Sequence, residues 1–244
     1  LKGDIFSYTG ATITGWNLNS ANTYEKATSV KIADILSAAG LLKTNTGTVT
    51  LSAVWTQNKY SLTITDRFVG ANGTLTTGTT GGSVSGAGTD YFYTQSVTLK
   101  VTAKDGYEFA GLYTNSSCQT ALTTGLTVVT EGKEYTFKMP ASNTTIYAKF
   151  EIQKYTLTVN NYVKYGSESA TKSDVGFTSF SGATFTGANG VYTTKVTFGQ
   201  TLDLTATAKS GYTFAGWYVG DGVTGTVTTE TLTTAAMPST GLVY

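Results

Sequence analysis

The chain has 244 residues, a net charge of +1 and only 13% charged residues, and it contains one cysteine and no histidine. A near-neutral chain without a basic stripe gives no reason to expect nucleic acid or an anionic membrane surface as a partner. A single cysteine without histidine also excludes a Cys/His zinc site and a His-activated nucleophile. We therefore expect no catalytic residues, no metal and no cofactor.

The composition favours a mostly β fold, α+β at most. Threonine, valine and tyrosine occur in short runs between glycines and asparagines, which is typical of strands and turns. With 16 tyrosines and 11 phenylalanines, the chain has ample apolar material for ordered domains. The longest apolar run, 32–42, contains Asp34 and is too short to cross a bilayer, so we expect no membrane insertion.

Residues 1–57 predict a partial unit with one helix. Ile32, Ile35, Leu36 and Ala39 have helical spacing and predict a short amphipathic helix at about 29–39. Its N-cap is expected at Thr28 or Ser29 and its end at Gly40, and a strand at 49–55 follows. Before the helix lies Ile13-Thr14-Gly15-Trp16. It is a degenerate copy of an aromatic segment that occurs in full at 106–113 and 211–218.

The following residues predict alternating strands at 60–64, 97–103, 135–139 and 146–150. A Gly/Thr/Ser-rich segment at about 66–90 is expected to be a long loop. Gly106-Tyr107-Glu108-Phe109-Ala110-Gly111-Leu112-Tyr113 predicts a strand entered from a tight turn. Period-two alternation buries one face only, which indicates antiparallel or mixed sheets.

Three motifs recur and divide the chain into repeats. Lys59-Tyr60-Ser61-Leu62-Thr63-Ile64 returns as 154–159, the segment 106–113 returns as 211–218, and Met139-Pro140 returns as Met237-Pro238. We predict domains at 1–57 (repeat 1, partial), 58–151 (repeat 2, full) and 152–244 (repeat 3, truncated at its last strand, with Tyr244 aligned to Tyr147). Four residues separate the flanking aromatic residues at each link, so neighbouring domains are expected to abut.

Taken together, these motifs resemble the internalin-type B repeat of bacterial surface proteins, in its divergent form. The resemblance covers 59–150 fully, 154–244 up to its last residue, and only the latter portion of the pattern in 1–57. It implies a compact β-grasp-like module, extracellular and in tandem, that serves as a stalk, spacer or accessory binding surface. The family brings no catalytic residues, and Leu112 departs from its expected tryptophan.

Aromatic residues are either core anchors or a ligand platform. We predict that Tyr107, Phe109, Tyr212, Phe214 and Trp217 are core residues. Tyr91, Phe92 and Tyr93 are candidates for stacking on sugar rings, as are Tyr162 and Tyr165, although alternation places part of each cluster in the core.

The remaining polar groups give no reactive site. Acidic residues such as Asp66 and Asp174 are scattered, Asp221-Gly222 reads as a turn pair, and Cys118 lies in a polar loop. Lys59 or Lys154 could form an amide cross-link to Asn or Asp, although solvated lysine is the more ordinary reading.

The sequence leaves the partners open. The chain starts inside one repeat and stops inside another, so we expect a piece of a larger protein whose neighbouring domains are its first partners. Open strand edges allow self-assembly into a fibre, and the alternative is a monomer. A host protein or glycan is the partner if the module is an adhesin.

Overall fold

The computed structural model describes residues 6–19, 22–26, 29–40, 48–221 and 229–244. Across these ranges the chain is mostly β, as predicted, with one short helix, α1 (Ile32–Ala38). No helix within these ranges is long and apolar enough to span a membrane. The β-grasp-like arrangement that the sequence suggested stays a prediction.

Repeat 1 contains a three-stranded sheet in the order β2-β1-β3. Its strands are β1 (Ala11–Asn19), β2 (Asn22–Glu25) and β3 (Ser52–Gln57). The strand β3 runs antiparallel to β1, with Trp55 opposite Ile13 and a register shift between Ile13 and Gly15. The degenerate aromatic copy in this repeat therefore pairs with the strand that follows the helix.

Helix α1 is shorter than predicted. Its N-cap is Lys31, which makes no side-chain capping bond, so Ser29 does not cap it; Thr28 lies outside the described residues. Ile32 is 74% exposed, and none of the α1 side chains is buried. The predicted apolar face is therefore at most half-buried among the described residues, which gives little tertiary support for extra helical turns.

Repeat 2 spans nine strands. Its bounds are β4 (Lys59–Val69), β5 (Leu75–Thr77), β6 (Gly82–Ser85), β7 (Gly88–Phe92), β8 (Ser96–Ala103), β9 (Tyr107–Tyr113), β10 (Leu126–Thr130), β11 (Glu134–Lys138) and β12 (Thr144–Ile152). One sheet has the order β10-β11-β8-β6; another has the order β5-β4-β12-β9, with β7 also on β4. The Gly/Thr/Ser-rich segment is thus not a plain loop, because β5, β6 and β7 form within it.

Repeat 3 forms smaller sheets. Its strands are β13 (Lys154–Asn160), β14 (Tyr162–Val163), β15 (Thr171–Lys172), β16 (Phe177–Ser181), β17 (Thr186–Ala188), β18 (Val191–Thr197), β19 (Asp203–Ala208), β20 (Thr231–Thr233) and β21 (Leu242–Val243). The sheet orders are β17-β18-β13-β21, β14-β15 and β16-β19-β20. The strand β21 runs parallel to β13, with Leu242 beside Leu157.

The aromatic segment of repeat 3 does not form the strand that the sequence predicts. Residues 107–113 are the strand β9, whereas the matching residues 212–218 belong to no strand. The strand β9 lies beside β12 along its length. In 212–218, by contrast, only Trp217 makes a β-bridge, and β21 meets the chain just beyond this segment, where the Gly220 amide donates to the Val243 carbonyl at 2.8 Å. A segment without a run of such backbone bonds is not a strand.

Tyr244 takes the place of Ile146 and not, as the alignment suggested, that of Tyr147. Tyr244 is 7% exposed in the core of repeat 3, and Ile146 is fully buried, while Tyr147 is half-buried. Tyr244 also lies as far along the chain from Met237 as Ile146 lies from Met139. The predicted alignment is therefore one residue out of register.

The chain divides into two compact units. Unit 1 comprises Leu1–Thr65, Val84–Lys100 and Tyr113–Tyr147, and unit 2 comprises Asp66–Ser83, Val101–Leu112 and Ala148–Tyr244. Repeat 2 contributes residues to both, and the division into three domains stays a prediction. Fully buried residues of unit 1 include Leu99 and Ile146; unit 2 has a core cluster of Leu157, Val159, Val196, Leu204, Ala206, Trp217, Leu232, Met237 and Tyr244.

Candidate functional site

The links between repeats are one residue long. The strand β3 ends at Gln57 and β4 begins at Lys59, which leaves Asn58 as the first link. The strand β12 ends at Ile152 and β13 begins at Lys154, which leaves Gln153 as the second. Such links give the chain little freedom at the passage from one repeat to the next.

At the first link, a glycine turn and an aromatic ring meet. The Asn58 amide donates to the Gly10 carbonyl at 2.8 Å, and the Thr12 hydroxyl donates to Asn58 Oδ1 at 2.7 Å. Gly10 has a φ of +81°, and a Cβ placed on it would lie 2.3 Å from Cβ of Tyr93. We call Gly10, Asn58 and Tyr93 the first joint.

The second link is built in the same way. The Gln153 amide donates to the Gly106 carbonyl at 2.8 Å, and the Phe198 amide donates to the Gln153 carbonyl at 2.9 Å. Gly106 has a φ of +78°, and a Cβ placed on it would lie 2.2 Å from Cδ1 of Phe198. We call Gly106, Gln153 and Phe198 the second joint.

Two features of each joint require glycine: a positive φ and a ring in close contact with the Cα. A positive φ disfavours any residue with a side chain, and the ring leaves no room for a methyl group. Gly211 is the matching position in repeat 3, with a φ of +89° and no described atom within 4 Å of an added Cβ. In the same turn, Gly10 and Gly106 are each in contact with an aromatic ring, whereas Gly211 is not.

The structure brings Tyr93 into a joint and holds its neighbours in place. Tyr91 donates its hydroxyl to the Gly86 carbonyl at 2.9 Å, and Phe92 lies opposite Lys59 in the β4–β7 pair. Tyr93 nevertheless keeps 39% of its surface exposed. Sugar stacking by Tyr91, Phe92 and Tyr93 stays a prediction.

Repeat 3 contains a cleft of about 700 Å³. One wall runs from Val159 to Gly166, the opposite wall is the segment 211–218, and β16 and β19 contribute to the lining. We call this space the repeat-3 cleft. It is rich in aromatic side chains, which include Tyr162, Tyr165, Phe177, Tyr212, Phe214 and Trp217.

The rim of the cleft carries a polar cluster on Asp221. Its Oδ1 accepts from the Tyr162 hydroxyl at 2.5 Å and from Asn160 Nδ2 at 3.2 Å, and it lies 2.9 Å from Lys172 Nζ. The Tyr162 hydrogen bond and then the Lys172 ammonium lower the pKa of Asp221, and the same hydrogen bond raises the pKa of Tyr162. The Asp221 carboxylate is thus well paired, whereas Oδ1 of Asn160 is buried without a hydrogen-bond partner among the described residues. Gly222, the predicted turn partner of Asp221, lies outside the described residues.

A second polar cluster fixes the turn before β18. The carboxylate of Asp174 accepts from the amides of Asn189 and Gly190 and from the Tyr192 hydroxyl. These bonds, led by the Gly190 amide, lower the pKa of Asp174. Burial and the bond to Asp174 raise the pKa of Tyr192 to about 12. This carboxylate therefore has a structural role in the turn.

The predicted core residues lie in two different surroundings. Trp217 is 5% exposed and donates Nε1–H to the Glu230 carbonyl at 3.0 Å, and Phe214 lies 5.7 Å from it between ring centres. Phe109 is half-buried, with its ring centre 5.6 Å from that of Phe150. Tyr107 and Tyr212 are also half-buried; their closest aromatic partners here are Phe68 and Tyr165.

The described residues show no reactive cluster. None of their Cys, Asp and Glu side chains form a group of three that could hold a metal ion. Cys118 is buried in a turn with a φ of 52°, and Lys59 Nζ forms an exposed ion pair with Asp90 at 3.2 Å. An amide cross-link at Lys59 or Lys154 stays a prediction.

Comparison with known families decides the affiliation of the chain. The model of the divergent InlB B-repeat domain matches residues 73–154 and again 175–243. The chain belongs to the divergent InlB B-repeat family. This B-repeat chain is thus a surface-protein repeat module of a family not known for enzymes. No curated protein and no solved structure matches it.

The joints are the feature that sequence reasoning missed. A signal was present, because each ring stands four positions before an apolar residue at the next strand: Tyr93 before Val97 in β8, and Phe198 before Leu202, which directly precedes β19. Period-two alternation does not reveal such a ring, since it lies in a turn and contacts another repeat.

Proposed function

We propose that this B-repeat chain is a non-enzymatic extracellular module of a bacterial surface protein that acts as a stalk or spacer. The family supports a role in surface proteins, and a composition without histidine gives little chemistry for catalysis. A spacer needs repeats whose junctions resist bending, because a flexible junction would not hold a distal domain at a distance.

The observation that carries the proposal is the likeness of the two joints. Each link residue donates its amide to a glycine carbonyl of the preceding repeat at 2.8 Å, and each glycine is covered by a ring of the following repeat. The same contacts at both junctions would give each repeat the same orientation to the next.

A distance measurement across the second joint tests this role. We would place spin labels at the exposed positions Glu108 and Glu168 after Cys118→Ser, and record the distribution of distances by pulsed electron resonance. The proposal predicts one narrow distribution, which broadens when Gly-Gly-Ser is inserted after Gln153. The same insertion after Gly73, in the exposed turn between β4 and β5, is the control and should leave it narrow. A distribution that is already as broad without any insertion would contradict the spacer role.

An adhesin is the second candidate, because two rings near the described sites remain open to solvent. Tyr93 is 39% exposed and Tyr165 is 53% exposed, and exposed tyrosine faces can stack on sugar rings. Titration of glycans against Tyr93→Ala and Tyr165→Ala, with the exposed Val219→Ala as control, tests this role. Equal binding by all three variants would rule out these rings as the platform.

A further inference from the structure

The chain enters repeat 2 through one strand and leaves it through another. The first link, Asn58, leads directly into β4, and β12 leads directly into the second link, Gln153. Tension along the backbone between repeats 1 and 3 therefore enters repeat 2 at Lys59 and leaves it at Ile152. The response of repeat 2 to such tension depends on how β4 and β12 are paired.

The two strands are direct neighbours inside a sheet. In the five-stranded sheet, β12 lies between β4 and β9, and β4 also pairs with β5 and β7, so neither strand is at an edge. With 11 and nine residues, β4 and β12 are the longest strands of repeat 2. Their common border therefore has room for a long run of backbone hydrogen bonds.

Contacts near both ends show that β4 and β12 run parallel. Near the start of the strands, the Ser61 amide donates at 2.9 Å to Oδ1 of Asn143, which directly precedes β12. Near their ends, Phe68 and Phe150 lie together, because a Cβ placed on Gly81 would be 3.0 Å from Cβ of Phe68 and 2.7 Å from Cβ of Phe150. Start meets start and end meets end, which is the arrangement of a parallel pair.

Repeat 3 has the same pairing between its own copies of these strands. The strand β13 corresponds to β4, and β21 runs parallel beside it, with Leu157 next to Leu242. The Tyr244 amide donates to the Thr158 carbonyl at 2.9 Å, and the Asn160 amide donates to the Tyr244 carbonyl at 2.7 Å. The parallel pairing is therefore a property of the repeat and not of one copy.

A parallel pair that is pulled at opposite ends is loaded in shear. The force draws β4 toward its start and β12 toward its end, along the strand axes, so the hydrogen bonds between the strands must break together. If both strands were pulled from the same end, the bonds would break one after another, each at a small force. The bonds are also shielded from water, because Leu62 of β4 and Ile146 and Phe150 of β12 are buried.

We propose that repeat 2 is a tension-bearing element, in which β4 and β12 form a shear clamp against mechanical unfolding. This inference rests on the proposed stalk role, because a stalk transmits tension along its length. It also goes beyond that role, since a spacer needs only stiff junctions, whereas the clamp keeps the repeat folded when the chain is stretched. The rate of unfolding, and not the free energy of unfolding, sets this resistance.

Pulling the full chain in two directions tests the proposal. Both variants carry Cys118→Ser, and DNA handles are attached through two new cysteines for force spectroscopy. The shear variant has Lys59→Cys and Lys154→Cys, at the start of β4 and directly after the second link. The peeling variant has Lys59→Cys and Ser142→Cys, at neighbouring ends of β4 and β12. All three handle positions are exposed, so urea denaturation should give both variants the same free energy of unfolding.

The two directions of pulling should differ strongly in force. At the same loading rate, we expect the shear variant to unfold at a mean force at least roughly twice that of the peeling variant. Equal forces, or a lower force for the shear variant, would overturn the clamp. Such a failure is distinct from a failure of the spacer role, because the spin-label distances report on the second joint and the ratio of the two forces reports on β4 and β12.

Discussion

Repeats 2 and 3 carry the same aromatic segment, yet it is a strand in one and not in the other. In repeat 2, Phe109 lies in β9 and packs on Phe150 of the neighbouring β12. In repeat 3, Phe214 stands on the wall of a cleft and packs on Trp217. The comparison teaches that these residues supply a surface for a strand, and that the neighbour decides the backbone state.

The largest effect is expected from the buried ring of repeat 3. Trp217→Ala should lower the free energy of unfolding by about 3–5 kcal/mol, because it opens a cavity in the core and leaves the Glu230 carbonyl with the Ala206 amide as its remaining donor. Urea denaturation measures this loss. The control Val219→Ala, at a position 74% exposed, should change little. Equal effects of the two substitutions would show that repeat 3 lacks a packed core.

The next largest loss of stability is expected at Gly106, which contacts a ring, compared with Gly211, which does not. Gly106→Ala should cost roughly 2–4 kcal/mol, since it adds a clash with the Phe198 ring to the strain of a positive φ. Gly211→Ala should cost only about 1 kcal/mol, because the strain acts alone.

A double substitution sharpens that comparison. In a Phe198→Ala background the clash is gone, so Gly106→Ala should cost no more than Gly211→Ala does. Unfolding free energies of the single and double variants measure the coupling. An unchanged cost of Gly106→Ala in that background would mean that the ring does not press on this turn.

A smaller effect should distinguish the two phenylalanines. Phe109→Ala should destabilise the chain by about 1 kcal/mol more than Phe214→Ala, because Phe109 loses its contact with Phe150 while Phe214 already borders open space. Parallel thermal and urea unfolding of the two variants provides the comparison. A larger loss for Phe214→Ala would contradict the view that the cleft side of this ring is empty.

The smallest effect is the loss of stability at low pH that comes from Asp174. Hydrogen bonds lower the pKa of Asp174 below the ordinary value of 3.8, so its contribution to stability is present above that value and is lost as the pH falls through the lowered pKa. Asp174→Asn should therefore lower the melting temperature at pH 7 and have less effect at about pH 2. The exposed Asp105→Asn serves as the control. A melting difference for Asp174→Asn that is the same at both pH values would refute this role.

Much of the fold could be predicted from the sequence, because alternation reports directly which face of a strand is buried. Leu99 and Ile146 lie in strands that were predicted in this way, and both are fully buried. The recurring motifs led to the family that the model comparison shows. The bounds of α1 could not be predicted, since helical spacing does not reveal whether a surface covers Ile32. The state of 212–218 was equally hidden, because it depends on a neighbouring strand.

The candidate sites were less accessible to sequence reasoning than the strands. The sequence marked Tyr93 as a candidate for sugar stacking and did not single out Phe198. Their shared role emerges only when Gly10 and Gly106 are seen beside them in the structure. The repeat-3 cleft depends on which elements lie beside the segment 212–218. No residue type within this segment predicts the cleft.

Hydrogen exchange on the intact chain tests the central claim most directly, because it reads both copies of the aromatic segment in one sample. The strand β9 lies beside β12, and the matching residues 212–218 form no strand. We predict that the best-protected amides of 107–113 exchange roughly 100-fold or more slowly than those of 212–216. Equal protection of the two segments would contradict the account, since 212–218 would then be hydrogen-bonded as β9 is.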